Sequence, residues 1–206
     1  MAQDNAREDH GRRTILGREE CAALYARFRD EIKRAMDPQD PWAIVGVKEK
    51  GSVLARRLRE DLSLGRAALD FGEVDISLYR DDWHLKSRKP KVLGTEIPFS
   101  VEGRRILLVD DVLYTGRTVR SALDLILDFG RPRKILLGVL IDRGHRELPI
   151  AADFTGRSIA TSFGDRVEVC FRETDGEDRV ELLSAGYADS SAGLAEGDVG
   201  RSGSET

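Results

Sequence analysis

Arg105-Ile106-Leu107-Leu108-Val109-Asp110-Asp111-Val112-Leu113-Tyr114-Thr115-Gly116-Arg117-Thr118 is the stretch whose reading decides the fold. Ile106 to Val109 is a short apolar run suited to a strand buried on both faces. Two carboxylates follow, at the expected carboxyl end of that strand. A small, hydroxyl-rich turn, Thr115 to Thr118, then opens a helix. Val119, Ala122, Leu123 and Ile126 mark it with an i, i+3, i+4, i+7 apolar stripe. Gly130 ends the helix and Pro132 prevents a restart.

Strand, acidic pair, Gly-containing turn and helix, in that order, predict a ligand at the carboxyl edge of a parallel sheet. The backbone N–H groups of such a turn lie at a helix N-terminus, where free donors and the dipole favour a phosphate. Thr115 and Thr118 add hydroxyl donors, and Gly116 lets the backbone come close. The turn has neither the Lys-Ser/Thr ending of a P-loop nor the triple-Gly spacing of a dinucleotide fingerprint. A single phosphate on a sugar is therefore expected. Asp110 and Asp111 suit a vicinal diol, directly or through Mg²⁺. Phosphate, diol and metal together suggest a phosphorylated ribose.

On these residues the stretch resembles the phosphoribosyl pyrophosphate (PRPP) motif of type I phosphoribosyltransferases. Val-Asp-Asp-Val-Leu-Tyr-Thr-Gly-Arg-Thr is similar, more narrowly, to the PyrR family of pyrimidine-operon regulators that are also uracil phosphoribosyltransferases. Asp142-Arg143-Gly144-His145-Arg146-Glu147-Leu148-Pro149 is a second close match, and Tyr79-Arg80-Asp81-Asp82 a third. The resemblance spans roughly residues 15 to 183. It implies an α/β, three-layer Rossmann-like parallel sheet with a small hood and a flexible flap.

Composition agrees with a cytoplasmic globular protein. The 206 residues suffice for one ordinary domain with a full core. The net charge of −4 gives no global attraction to nucleic acid, so any RNA contact needs a local basic patch. Cys21 and Cys170 stand far apart without metal-ligand spacing, against a disulfide framework or zinc site. No apolar run approaches the ~18 residues of a membrane span, and the charged N-terminus has no signal-like core. Residues 1–13 are expected as a disordered tail, 14–183 as the domain, and 184–206 as a second polar tail.

Outward from the central stretch, Cys21, Leu24, Tyr25, Phe28 and Ile32 mark a helix over about 17–36. Trp42 to Val47 is expected as a strand, and Gly46 to Gly51 as a turn into a helix ending near Leu64-Gly65. By the resemblance, the turn Lys48-Glu49-Lys50-Gly51 holds pyrophosphate. The family usually reads Thr-Arg-Gly where this chain has Glu49-Lys50-Gly51, so Glu49 puts a carboxylate beside an anionic ligand. Val74 to Tyr79 is expected as a third strand. The basic, aperiodic stretch from Trp83 to Pro98 is expected as the flap, with Arg80, Asp81, Asp82 and Arg88 as its candidate residues. Lys134 to Ile141 is a further buried strand. Short strands at Asp153-Phe154 and Arg166 to Arg172, with Thr161-Ser162 between them, correspond to the hood, and Arg179 to Leu183 returns as a hairpin strand.

The resemblance implies transfer of a phosphoribosyl group from PRPP to uracil, giving UMP and pyrophosphate, with Mg²⁺ as cofactor. Asp110 and Asp111 hold the ribose hydroxyls and, indirectly, the metal. Val112 to Thr118 carry the 5′-phosphate loop. Lys50, Arg143 and Arg88 take the pyrophosphate, Arg143 having the base as its alternative target. The second implied activity is UMP- or UTP-dependent binding of pyrimidine-operon leader RNA, with Arg27, His145, Arg146 and Arg157 as candidate contacts. Ala26, Asp30 and Ala151 stand where the family usually has Thr, His and Arg. The alternatives are loss of RNA binding with the nucleotide site kept, or a different base. A homodimer or larger assembly is expected, with exposed apolar residues on the first helix as its surface.

Overall fold

The computed structural model describes residues 11–63, 69–76 and 94–185. The elements, in chain order, are β1 (Arg12–Leu16), α1 (Arg18–Ala35), β2 (Trp42–Val47), α2 (Lys50–Ser63), β3 (Asp70–Val74) and β4 (Arg105–Leu113). There follow α3 (Arg117–Asp128), β5 (Lys134–Asp142), β6 (Phe154–Ser158), β7 (Arg166–Cys170), α4 (Arg172–Asp175) and β8 (Arg179–Leu183).

Five strands form a parallel sheet in the order β3-β2-β4-β5-β6. Its central strands carry alternating apolar residues to two separate cores. Ile44, Leu107 and Val109 pack with α1 and α2 on one face. Ala43, Val45, Ile106 and Leu108 pack with Val119, Ala122, Leu125 and Ile126 of α3 on the other. Helix, sheet and helix make the three layers that the continuous apolar runs require, because a parallel strand is buried on both faces.

Chain order sets the crevice. From β2 the chain crosses through α2 to β3 on one side, whereas β4 lies on the other side of β2. The sheet therefore has a switch point between β2 and β4, where ligands of open α/β sheets bind at the carboxyl ends. Close packing keeps the two ends together. A Cβ at Gly46 would come within 2.6 Å of the Ser52 Cα, and one at Gly51 within 2.7 Å of the Val109 carbonyl oxygen. Neither position has room for a side chain.

Several expectations are corrected. The third strand runs over Asp70–Val74, pairing in register with β2 from Ala43↔Asp70 to Val47↔Val74; Val74 ends it where the expected strand begins, Asp75 and Ile76 are not strand, and 77–79 lie outside the described residues. Phe154–Ser158 joins the main sheet as its edge strand beside β5. The hood is instead the antiparallel sheet β1-β8-β7. Its first strand begins at Arg12, inside the stretch expected to be a tail, because Arg12 pairs with Leu183 in the ladder and its Nε donates to Glu181 at 2.8 Å. The first helix buries Cys21, Leu24, Phe28 and Ile32 and exposes no large apolar residue; among the described residues these are Leu127, Phe129 and Phe163. No helix of the described residues is long and apolar enough to cross a membrane.

Candidate active site

A cleft of about 980 Å³ opens at the switch point, lined by 47–50 after β2, 75–76 after β3, 110–119 of β4 and α3, Arg143 after β5, and 166–169 of β7. The acidic pair sits where the sheet frays asymmetrically. The β2 ladder to β4 stops at Gly46↔Val109, while the β5 ladder continues to Leu113↔Asp142. Strand β4 thus runs on through Asp110 and Asp111, four residues beyond the expected end. Asp110 is 5 % exposed, and its Oδ1 accepts the Asp111 N–H at 3.1 Å. Burial pushes the Asp111 carboxyl above the usual range, against the pull of hydrogen bonds from Asp110 and the backbone and of the Lys50 charge. Two such acids side by side invite a cation or a pair of hydroxyl donors.

Tyr114 to Thr118 turn the chain into α3. Gly116 is its N-cap at φ 91°, with no side-chain cap, so the first-turn amides are left to a ligand apart from the Arg117 N–H, which reaches Thr115 Oγ1 at 3.3 Å. The apolar wall behind Gly116 is Leu148 and Ile150. Arg117 points outward, its Nε donating to Glu147 at 2.7 Å. Val112 is half-buried and Leu113 is buried on β4.

Of the pyrophosphate candidates, Lys48, exposed Glu49 and Lys50 reach the cleft; the Lys48–Glu49 peptide is cis. Gly51 faces the β4 backbone instead. Lys48 Nζ donates to the Gly94 carbonyl at 2.5 Å. Lys50 Nζ donates to Thr174 Oγ1 at 2.9 Å and pairs with Asp175. Arg143, 6 % exposed, stacks on Tyr114 and donates to Thr161 Oγ1 and to the carbonyls of Ser162 and Phe163. Lys50 and Arg143, two of the three expected pyrophosphate cations, are thus engaged by the hood side. The flap candidates Arg80, Asp81, Asp82 and Arg88 lie outside the described residues.

Of the RNA candidates, Arg27 and Arg157 are exposed, whereas His145 and Arg146 are engaged by neighbouring segments. Arg27 is exposed on α1, where it lines a groove of about 810 Å³ with Lys33, Arg34, Asp30 and Glu31. Arg157 is exposed on β6. His145 Nε2 bonds the Thr161 carbonyl at 2.8 Å, and its ring meets Tyr114 and Phe163 edge-on. Arg146 is engaged by Asp142, Gly144 and Ile150 of its own stretch and by the carbonyls of Leu113 and Tyr114. Asp30 accepts two hydrogen bonds from Arg29.

Sequence reasoning missed Asp75, Arg166 and Glu168, which also line the cleft. It missed Thr174 and Asp175 as partners of Lys50 as well. The alternation of β7 could have indicated Arg166 and Glu168; nothing local marks the four-residue α4.

The family model described as "Phosphoribosyl transferase domain" matches residues 14–172. The chain is 47 % identical over 159 residues to the protein named "Bifunctional protein PyrR" of Bacillus cereus (strain B4264), covering 76 % of this chain and 88 % of that one. The match to the Bacillus anthracis (strain CDC 684 / NRRL 3495) protein of that name has the same identity and coverage. The chain belongs to the PyrR family of type I phosphoribosyltransferases. Two solved structures share its fold at low identity. The HGPRT-ase of Leishmania tarentolae in complex with GMP aligns with a TM-score of 0.61 at 18 % identity, over 85 % of this chain and 97 % of that one. The hypoxanthine phosphoribosyltransferase of Staphylococcus aureus aligns with a TM-score of 0.60 at 18 % identity, over 88 % and 97 %.

Proposed function

We propose that the cleft binds PRPP and uracil and forms UMP and pyrophosphate. The observation that carries this reading is the joining, at one switch point, of a desolvated acid pair with an uncapped helix N-terminus. The C1–oxygen bond to pyrophosphate breaks, a bond from C1 to the uracil ring nitrogen forms, and the proton of that nitrogen leaves with the pyrophosphate. Asp110 and Asp111 accept hydrogen bonds from the ribose hydroxyls and fix the sugar. The amides of Thr115, Gly116 and Thr118, with the Thr115 and Thr118 hydroxyls, hold the 5′-phosphate. Lys48 and Lys50 stand on the leaving-group side, where Lys50 exchanges Asp175 for pyrophosphate. The hood loop at 161–163, braced by Arg143 and Tyr114, covers the base and keeps water from the sugar.

Mg²⁺ is the cofactor expected here, and the donor set fits it. No group of three or more His, Cys, Asp or Glu residues that could cage a metal ion is found among the described residues, while Mg²⁺ characteristically uses one or two carboxylates together with substrate phosphates. Asp110 and Asp111 are the residues to hold it, and when bound it neutralises charge on the leaving pyrophosphate.

The regulatory half of the family's activity is binding of leader RNA governed by UMP or UTP. Here we infer that the nucleotide site is kept while RNA affinity is weak or retargeted. Supporting this are Ala26, Asp30 and Ala151 in place of the family's usual contacts, and the internal engagement of Arg146. A mobility-shift titration of a pyrimidine-leader hairpin, with and without UMP, tests it. Weak binding is expected; tight, salt-sensitive, UMP-dependent binding overturns it.

A further inference from the structure

The loop after β5 carries one side chain whose donors all turn inward. The Arg146 Nε donates to the Ile150 carbonyl at 3.0 Å. Its Nη1 donates to the carbonyls of Leu113, Tyr114 and Gly144 at 3.4, 2.7 and 3.1 Å. Its Nη2 donates to Asp142 Oδ2 at 2.5 Å. The same loop gives the Glu147 and Leu148 N–H groups to the Thr115 carbonyl at 3.0 and 3.1 Å. The carbonyls of three consecutive residues, 113 to 115, are therefore drawn to this loop.

A trans peptide is planar, with its C=O and N–H on opposite sides. Holding the carbonyls of Leu113, Tyr114 and Thr115 on the loop side aims the N–H groups of Tyr114, Thr115 and Gly116 the other way. Those three residues line the cleft. We propose that Arg146 is a positioning residue for the 5′-phosphate loop, acting on the ligand through the peptide groups it orients. This rests on the reading of 114–118 as a phosphate site. It places Arg146 inside the nucleotide site rather than on an RNA face. Only a planar fork of five donors spans the Leu113 and Tyr114 carbonyls, the loop carbonyls of Gly144 and Ile150 and a carboxylate at once; a lysine ammonium cannot.

The test is calorimetric titration of the full chain with UMP and with uridine, which lacks the phosphate, for the wild type, Arg146→Lys and Asp142→Asn, with melting temperatures alongside. In the wild type UMP binds more tightly than uridine. Arg146→Lys is expected to lose about tenfold or more in UMP affinity while uridine affinity stays within about twofold. Asp142→Asn, which loosens the fork without removing it, is expected to lose less in the same direction. A role in stability alone would lower both affinities together, or the melting temperature alone, and would overturn the proposal. An unchanged UMP-to-uridine ratio in Asp142→Asn overturns it even if Arg146→Lys does not fold. A wild type that does not discriminate UMP from uridine overturns the phosphate-site reading itself, and the proposal with it.

Discussion

The guanidinium carbon of Arg143 lies 3.9 Å from the centre of the Tyr114 ring, and the Tyr114 hydroxyl donates to the Phe163 carbonyl at 3.1 Å. Arg143 donates to that carbonyl as well, at 3.3 Å. One residue of the turn into α3 and one from the end of β5 thus hold the same point of the hood. Tyr114→Phe keeps the ring beneath the cation and loses one hydrogen bond, so it should cost about 1 kcal/mol in urea unfolding. Tyr114→Ala also removes the cation–π contact and should cost about 2 kcal/mol. Equal losses would contradict the stacking role.

Gly51 separates two effects of opposite sign. By helix propensity alone, Gly51→Ala would stabilise α2 by up to about 1 kcal/mol. The new methyl would stand 2.7 Å from the Val109 oxygen and 3.0 Å from the Asp110 Cα. Both are backbone, so the helix must move away from the acid pair. Destabilisation of about 1–3 kcal/mol, with a fall in kcat/KM, is expected. A higher melting temperature would mean that the approach of α2 to β4 is not needed.

The raised pKa of Asp111 comes first from burial and has a definite sign in stability. Between the unfolded value and the raised folded one, the native state binds more protons, so stability falls as pH rises through that window. At neutral pH the buried charge is unfavourable. Asp111→Asn should therefore be more stable than the wild type at pH 7, and the difference should shrink as the pH is lowered below the folded value. Thermal melts of both proteins across acid pH check this. Taking the difference cancels carboxylates common to both, such as Glu173, whose pKa is held down by the Arg57 hydrogen bond. A gain that does not depend on pH would contradict the account.

Lys50 lines the cleft and is bonded to the hood side, and in the proposed function it also serves the leaving pyrophosphate. Its ammonium pairs with Asp175 in a partly exposed site, which makes the pair worth roughly 1 kcal/mol or less. Asp175→Asn should lower KM for PRPP about threefold through that released competition, leaving KM for uracil unchanged. A raised KM for PRPP would instead make Asp175 the residue that holds Lys50 in place.

The parts legible in the sequence are those fixed by local periodicity. Trp42 to Val47 and the stretch from Arg105 to Thr118 announce themselves through apolar runs and a turn, and they carry most of the cleft. What stayed hidden depends on partners distant in the chain. Arg12 to Leu16 has too mixed a polarity to read as a strand; its place comes from β8 and from the pairing of Arg12 with Glu181, 169 residues on. Asp70 to Val74 buries only Gly72 and Val74, so its register is set by β2 and not by its own pattern. Lys50 and Arg143 line the cleft, yet their bonds to Asp175 and to the 161–163 loop follow from the hood's fold, which no local spacing reveals.

The central claim is most directly tested by UMP formation from uracil and PRPP with Mg²⁺, comparing the wild type with the Asp110→Asn/Asp111→Asn double variant. The account predicts turnover in the wild type and its loss in the folded double variant, as two carboxylates that fix the ribose are removed together. Absence of turnover in the wild type, or equal turnover in both proteins, would contradict it.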